Sequence, residues 1–101
     1  MVTNNQMAIG TLRAIRDAGL RIPDDVAVVS FDDFEGADLL SPGLTAVTQD
    51  VPALAAAAVN LLLRRVNDDR RAPRSVIVPT ALQHRGSCGC GRERSAGGRK
   101  P

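Results

Sequence analysis

Apolar residues recur at Ala8, Leu12 and Ile15, the i, i+4, i+7 spacing of one helix face, and Met7, Ile9 and Ala18 widen that face. Thr3 or Asn4 stands where an N-cap belongs, Arg13, Arg16 and Asp17 take polar positions, and Gly19 is placed for a left-handed C-terminal cap. Ile9 lies off the main stripe and asks for a second apolar contact. Residues 20–25 read as a loop, because Pro23 lacks a backbone donor and disfavours helix before it. Residues 26–31 then form a continuous apolar, β-branched run without alternation. Such a run predicts a strand buried on both faces, in a parallel sheet flanked by helices.

Further along, a helical turn is predicted over residues 34–40, Ser41-Pro42-Gly43 is a turn, and residues 44–49 read as a short extended segment. Asp50 is placed to cap a second helix, with Pro52 in its first turn, where the missing donor costs nothing. Leu54, Ala58, Leu61, Leu62 and Val66 give this helix an apolar stripe, and Arg64 and Arg65 sit near its C-terminal end, favourably for the helix dipole. The small residues 55–58 suit close packing. Residues 67–74 are a mixed-charge loop whose arginines read as a solvated surface. A second buried-type strand is expected at residues 75–80, centred on 76–78 and ended by Pro79, with residues 81–87 extended. Helices alternating with such strands define an α/β chain.

Asp32-Asp33 follows directly on the first predicted strand. In open α/β sheets ligands bind beyond the carboxyl ends of the strands, where a carboxylate can accept hydrogen bonds from a neutral polyol or help hold a metal. The pair also suits general acid/base chemistry or the acidic pocket of a phospho-receiver. A receiver needs a further acceptor Asp and a late Lys, and the only lysine is Lys100 at the far end. Asp33 has a plainer reading as the N-cap of the following turn. The chain is read as a non-enzyme: no Ser/His/Asp or Cys/His arrangement can be argued from spacing, and no phosphate-binding glycine loop is present.

Composition narrows the choice. Of the 101 residues, 14 are Ala and 24 are Leu, Val or Ile, so the core is thin. Phe31 and Phe34 are the only aromatics, too few for a sugar- or base-stacking platform. The net charge of +2 does not mark a nucleic-acid face, because residues 91–101 alone carry four basic side chains against Glu93. No run approaches a membrane span and no leader pattern opens the chain, so a cytoplasmic, non-membrane protein is expected. Cys88 and Cys90 are too close together to close a useful loop. With His84 they offer three ligands for a soft metal where a closed site wants four, so residues 88–101 are read as a disordered tail with neither metal nor cofactor.

Three stretches in fixed order resemble one family. Residues 2–10, VTNNQMAIG, look like its V-x-N-D-x-M-A-x-G segment. Residues 19–33, GLRIPDDVAVVSFDD, are similar to G-L-R-V-P-x-D-I-S-V-V-G-F-D-D, and residues 42–49, PGLTAVTQ, to P-P-L-T-T-V-x-Q. Residues 79–82 and 85–88 also resemble its ending, P-x-x-L-x-x-R-x-S. The family is the lactose-repressor (LacI/GalR) type of bacterial transcription regulator. Departures are Asn5 for the usual Asp, Ser30 for Gly and Ala46 for Thr.

The resemblance implies a fragment of a periplasmic-binding-protein-like (type I) effector domain, built of two α/β subdomains with parallel sheets. A small sugar or nucleobase would lie between the subdomains. It implies that Asn4 and Asp32 hydrogen-bond this effector, with Gln49 at the crossing between subdomains. Ile9, Leu12, Arg13, Leu39 and Leu40 would form a homodimer contact in the full-length protein, giving Ile9 its off-stripe role. By the same likeness, residues 1–49 belong to the C-terminal subdomain, 50–79 supply a helix and strand of the other, and 80–87 return. Operator DNA would be bound through an N-terminal helix-turn-helix absent from these residues. A fragment of a periplasmic sugar-binding protein of a transporter is the rival reading, since it shares the fold.

Overall fold

In the computed structural model, which describes residues 1–67 and 70–91, the chain is α/β. Its elements are α1 (Asn5–Asp17), β1 (Val29–Phe31), β2 (Thr45–Gln49), α2 (Val51–Val66) and β3 (Thr80–Gln83), followed by a short 3-10 helix at Gly86–Cys88. Both ends of α1 are fixed as its sequence dictates. Asn4 is the N-cap, its Oδ1 accepting from the Met7 N–H at 2.8 Å. At the other end Gly19 takes φ +69, its N–H donates to Arg16 O, and the Leu20 N–H donates to Ile15 O. That pair of bonds is a Schellman closure, which needs the left-handed conformation glycine adopts freely.

The sheet has the order β1-β2-β3. β1 and β2 are parallel, with Val29 opposite Thr45 and Phe31 opposite Val47. Val2 adds a further parallel rung beside Ser30: its N–H donates to Val29 O and its carbonyl accepts from the Phe31 N–H. β3 runs antiparallel to β2, with Ala46 opposite Gln83 and Gln49 opposite Thr80. The sheet is therefore mixed: the expected parallel pairing is present between β1 and β2, and β3 adds one antiparallel strand.

Three predicted elements need correction. The first strand is only its last three residues, because the Val26 and Val28 N–H groups bond to Arg21 O and Ser87 O instead of a ladder. The strand expected at 75–80 does not form: residues 70–79 are irregular, and Ile77 is 90% exposed. A β-branched run becomes a strand only against an available edge, and the β2 edge is taken by Thr80–Gln83. The segment 34–40 is a pair of turns, closed by Ala37 N–H to Phe34 O and Leu39 N–H to Gly36 O, rather than a helical turn.

α2 forms where predicted, with Asp50 Oδ1 accepting from the Ala53 N–H at 2.9 Å. Its apolar stripe is not covered, however, and none of its residues is buried. Leu62 and Val66 are largely exposed. The core lies elsewhere, between α1, the sheet and the loops. It consists of Ala8, Ile15, Val28, Ala37 and Leu44, with Val2, Leu12, Ile22, Val26 and Phe34 packed against them.

The segment around Ser87 is better anchored than its composition suggests. Residues 88–91 were expected to open a disordered tail, yet Cys88 closes the 3-10 helix and its neighbour Ser87 is buried. Ser87 Oγ donates to Val28 O at 2.7 Å and accepts from the Thr45 N–H at 2.8 Å. Its own N–H donates to Gly43 O, and its carbonyl accepts from the Val28 N–H. One serine thus joins the approach to β1, the start of β2 and the short 3-10 helix. The remainder of the expected tail, 92–101, lies outside the described residues.

Candidate functional site

The parallel rungs set up one edge. Because Val2 pairs with Ser30, Asn4 and Asp32 each stand two residues beyond that rung, toward the carboxyl end. Gln49 stands two beyond Val47, which pairs with Phe31. All three sequence-predicted ligand residues therefore reach the same carboxyl edge of the sheet. Two of them touch: Gln49 Nε2 donates to Asp32 Oδ1. Asn4 spends its Oδ1 on the α1 cap.

Asp32 has the only positive φ among the described non-glycine residues, at +68. Its N–H donates to Val47 O at 2.9 Å, and its carbonyl accepts from Ser30 Oγ at 3.2 Å. These bonds turn the chain sharply at the strand end and hold the carboxylate on the edge. Left-handed backbone in a residue with a Cβ is costly and concentrates at ligand-binding positions. Next to Asn4 in the chain, Asn5 Oδ1 is buried with no hydrogen-bond partner among the described residues. Sequence reasoning noted Asn5 only as a departure from a family pattern.

Asp33 does not cap a helix, since none directly follows it. Its Oδ1 accepts from the Phe34 N–H at 3.1 Å, and both its oxygens are held by Arg85, Nη1 to Oδ1 at 2.8 Å and Nη2 to Oδ2 at 2.7 Å. The Arg85 hydrogen bonds hold the Asp33 carboxyl below its ordinary range against the opposing effect of burial, and the guanidinium is stabilised in turn. A carboxylate tied up in this way is a structural group and not a free acid or base. In the sequence, Arg85 and Ser87 stand out only within the R-x-S ending. That motif was the available signal, but their partners lie far away in sequence.

Ile9, Leu12, Arg13 and Leu40 of the expected dimer contact line one groove, together with Phe34. Leu39 falls outside that lining and is 84% exposed. Separately, the ligating atoms of His84, Cys88 and Cys90 lie within 4.8 Å of one another. No helix among the described residues is long and apolar enough to cross a membrane.

Parallel rungs with polar side chains gathered on one carboxyl edge define an α/β domain of the binding-protein type. The chain belongs to the periplasmic binding protein-like domain family, whose model matches residues 1–88. It is similar to the HTH-type transcriptional repressor MelR of Bacillus subtilis, 43% identical over 89 residues, covering 88% of this chain and 26% of the relative. It is 41% identical over 87 residues to a lactose operon repressor of Rhizobium radiobacter, covering 86% of this chain and 76% of the relative. Among solved structures it resembles a periplasmic binding protein/LacI transcriptional regulator from Alkaliphilus metalliredigens complexed with D-xylulofuranose. There the TM-score is 0.75 and the identity 29%, over 85% of this chain and 32% of that one. The chain thus spans about a quarter of the MelR relative and about a third of the solved structure.

Proposed function

We propose that this chain is the C-terminal effector-sensing and dimerisation part of a LacI-type transcription regulator that acts in the cytoplasm. In the full-length protein, Asn4, Asp32 and Gln49 hydrogen-bond a small sugar or nucleobase. The observation that carries this reading is Asp32: a carboxylate at a parallel strand end, in left-handed backbone, already engaged by Gln49. The Alkaliphilus neighbour was solved with a pentulose, which supports the sugar class.

Residues 50–79 act as elements of the second subdomain. The bare apolar stripe of α2 supports this division, since Leu62 and Val66 are largely exposed among the described residues. Two copies pair through Ile9, Leu12, Arg13, Leu39 and Leu40. DNA contact belongs to a helix-turn-helix outside these residues, in keeping with the repressor names of the relatives.

The test has two arms. The 101-residue chain alone, titrated calorimetrically with pentoses, pentuloses and purines, shows no micromolar binding and does not shift operator DNA. A full-length regulator carrying this segment responds to its effector in an operator-release assay, and Asp32→Ala removes that response while effector-free operator affinity is unchanged. Retained effector response in Asp32→Ala would refute the assignment.

A further inference from the structure

The function above leaves His84, Cys88 and Cys90 unused. They are nevertheless brought together by a backbone that is anchored at each step. His84 follows directly on β3, and the next residue, Arg85, is fixed by its fork to Asp33 and by a 2.7 Å bond from Nη1 to Leu44 O. Ser87, buried in its four-way bonding, delivers Cys88. Gly89 then reverses the chain at φ +69, and a Cβ there would sit 3.3 Å from Pro23 Cβ, so any other residue would be strained in the turn and tight against Pro23. The reversal brings Cys90 back over Cys88, and the Cys90 N–H donates to Cys88 Sγ at 3.3 Å. His84 Nε2 lies 3.2 Å from Cys88 Sγ.

From this geometry we propose that His84, Cys88 and Cys90 form a binding site for a thiophilic divalent cation of the zinc type, with two thiolates and one imidazole as ligands. Zinc–ligand bonds of about 2.3 Å to sulfur and about 2.0–2.1 Å to nitrogen place tetrahedral ligand atoms roughly 3.5–3.8 Å apart. The observed separations, from 3.2 Å up to 4.8 Å, straddle that requirement. Closing the site takes side-chain rotation and no rearrangement of the anchored backbone. Two thiolates and a neutral imidazole neutralise a divalent ion, and the exposed position of His84 and Cys90 leaves the fourth corner to water or an exogenous thiol. Such an ion ties the end of β3 to the residues beyond the 3-10 helix. The site stands independently of the effector assignment.

The experiment uses the whole chain, reduced and stripped of metal. Zinc is titrated in competition with a chromophoric chelator, and cobalt(II) is substituted as a spectroscopic probe. One ion binds per chain, and the cobalt form shows thiolate-to-metal charge transfer with the strength of two sulfurs. Cys90→Ser halves that absorption. His84→Gln leaves it intact and shifts the ligand-field bands. Each variant weakens zinc binding by at least the roughly 10–100-fold that loss of an outer-shell partner causes. Both substituted side chains are exposed, so circular dichroism and the unfolding midpoint of the metal-free proteins stay at the wild-type values. Half an ion per chain, unchanged affinity in either variant, or no binding at all would overturn the proposal.

Discussion

Arg85 holds Asp33 in a fork across 52 residues of sequence, Nη1 to Oδ1 at 2.8 Å and Nη2 to Oδ2 at 2.7 Å, with both side chains about three-quarters buried. The same Nη1 donates to Leu44 O, so one guanidinium ties the loop after β1 to the entry of β2. Arg85→Ala removes two charge-assisted bonds and leaves a partly buried carboxylate and a carbonyl without their donor. The expected cost is about 2 kcal/mol, read as a lower urea midpoint with unchanged slope. Asp33→Asn costs less, because an amide still accepts one of the two bonds. In the double variant the two losses combine to less than their sum, as a direct pair requires.

The same pair sets an acid limit. The folded-state Asp33 carboxyl titrates below its unfolded value, so its stabilisation is fully present above the unfolded aspartate pKa of about 3.9 and is lost as pH falls through the folded value. Asp25 follows the same sign, its carboxyl drawn down to about 2 chiefly by the hydrogen bond from the Arg21 side chain. The Arg21–Asp25 pair is exposed and contributes little. Stability measured by urea unfolding from pH 6 downward therefore declines below about pH 4. In Arg85→Ala the decline is shallower, since Asp33 has lost the partner that depressed it.

Ser87 offers a test of buried polar bonding free of charge. Replacing it by Ala strips the Thr45 N–H and the Val28 carbonyl of a partner at a position that is 1% exposed. The expected loss is about 1–3 kcal/mol. Hydrogen exchange at the Thr45 amide rises in step with it, because that amide then opens without competition. An exposed control, Thr48→Val, loses only a rim bond to Ala81 O and stays within about 0.5 kcal/mol of wild type.

These pairs also mark what the sequence disclosed and what it did not. The span and closure of α1 were legible because cap, stripe and closing glycine are local, although Met7 and Ala18, expected on its apolar face, are exposed. Asp32 was legible because a strand end followed by a carboxylate is a local pattern too, whereas Gln49 was marked only by the likeness to the repressor family. Arg85 with Asp33, and Ser87 with Thr45 and Val28, are long-range, and no periodicity encodes them. The run at 76–78 misled for a different reason: β-branched residues fit a pleated surface, but only a neighbouring strand makes them one, and β2 was already paired with Thr80–Gln83. The α2 stripe was read correctly as apolar, while its burial depends on a surface that no described element supplies.

Asp32 separates backbone strain from chemistry. At φ +68 a residue with a Cβ meets its following carbonyl, and glycine does not. Asp32→Ala and Asp32→Gly both lose the carboxylate that accepts from Gln49 Nε2, so the difference between them isolates the backbone. The glycine variant is expected to be the more stable of the two by about 1–2 kcal/mol in urea unfolding. In a full-length regulator carrying this segment, both variants lose effector-dependent release from operator DNA. Equal stability of the two would mean that the turn relaxes once the carboxylate is gone. Retained effector response in the stabilised glycine variant would show that the left-handed turn serves the fold alone, and that Asp32 does not touch the effector.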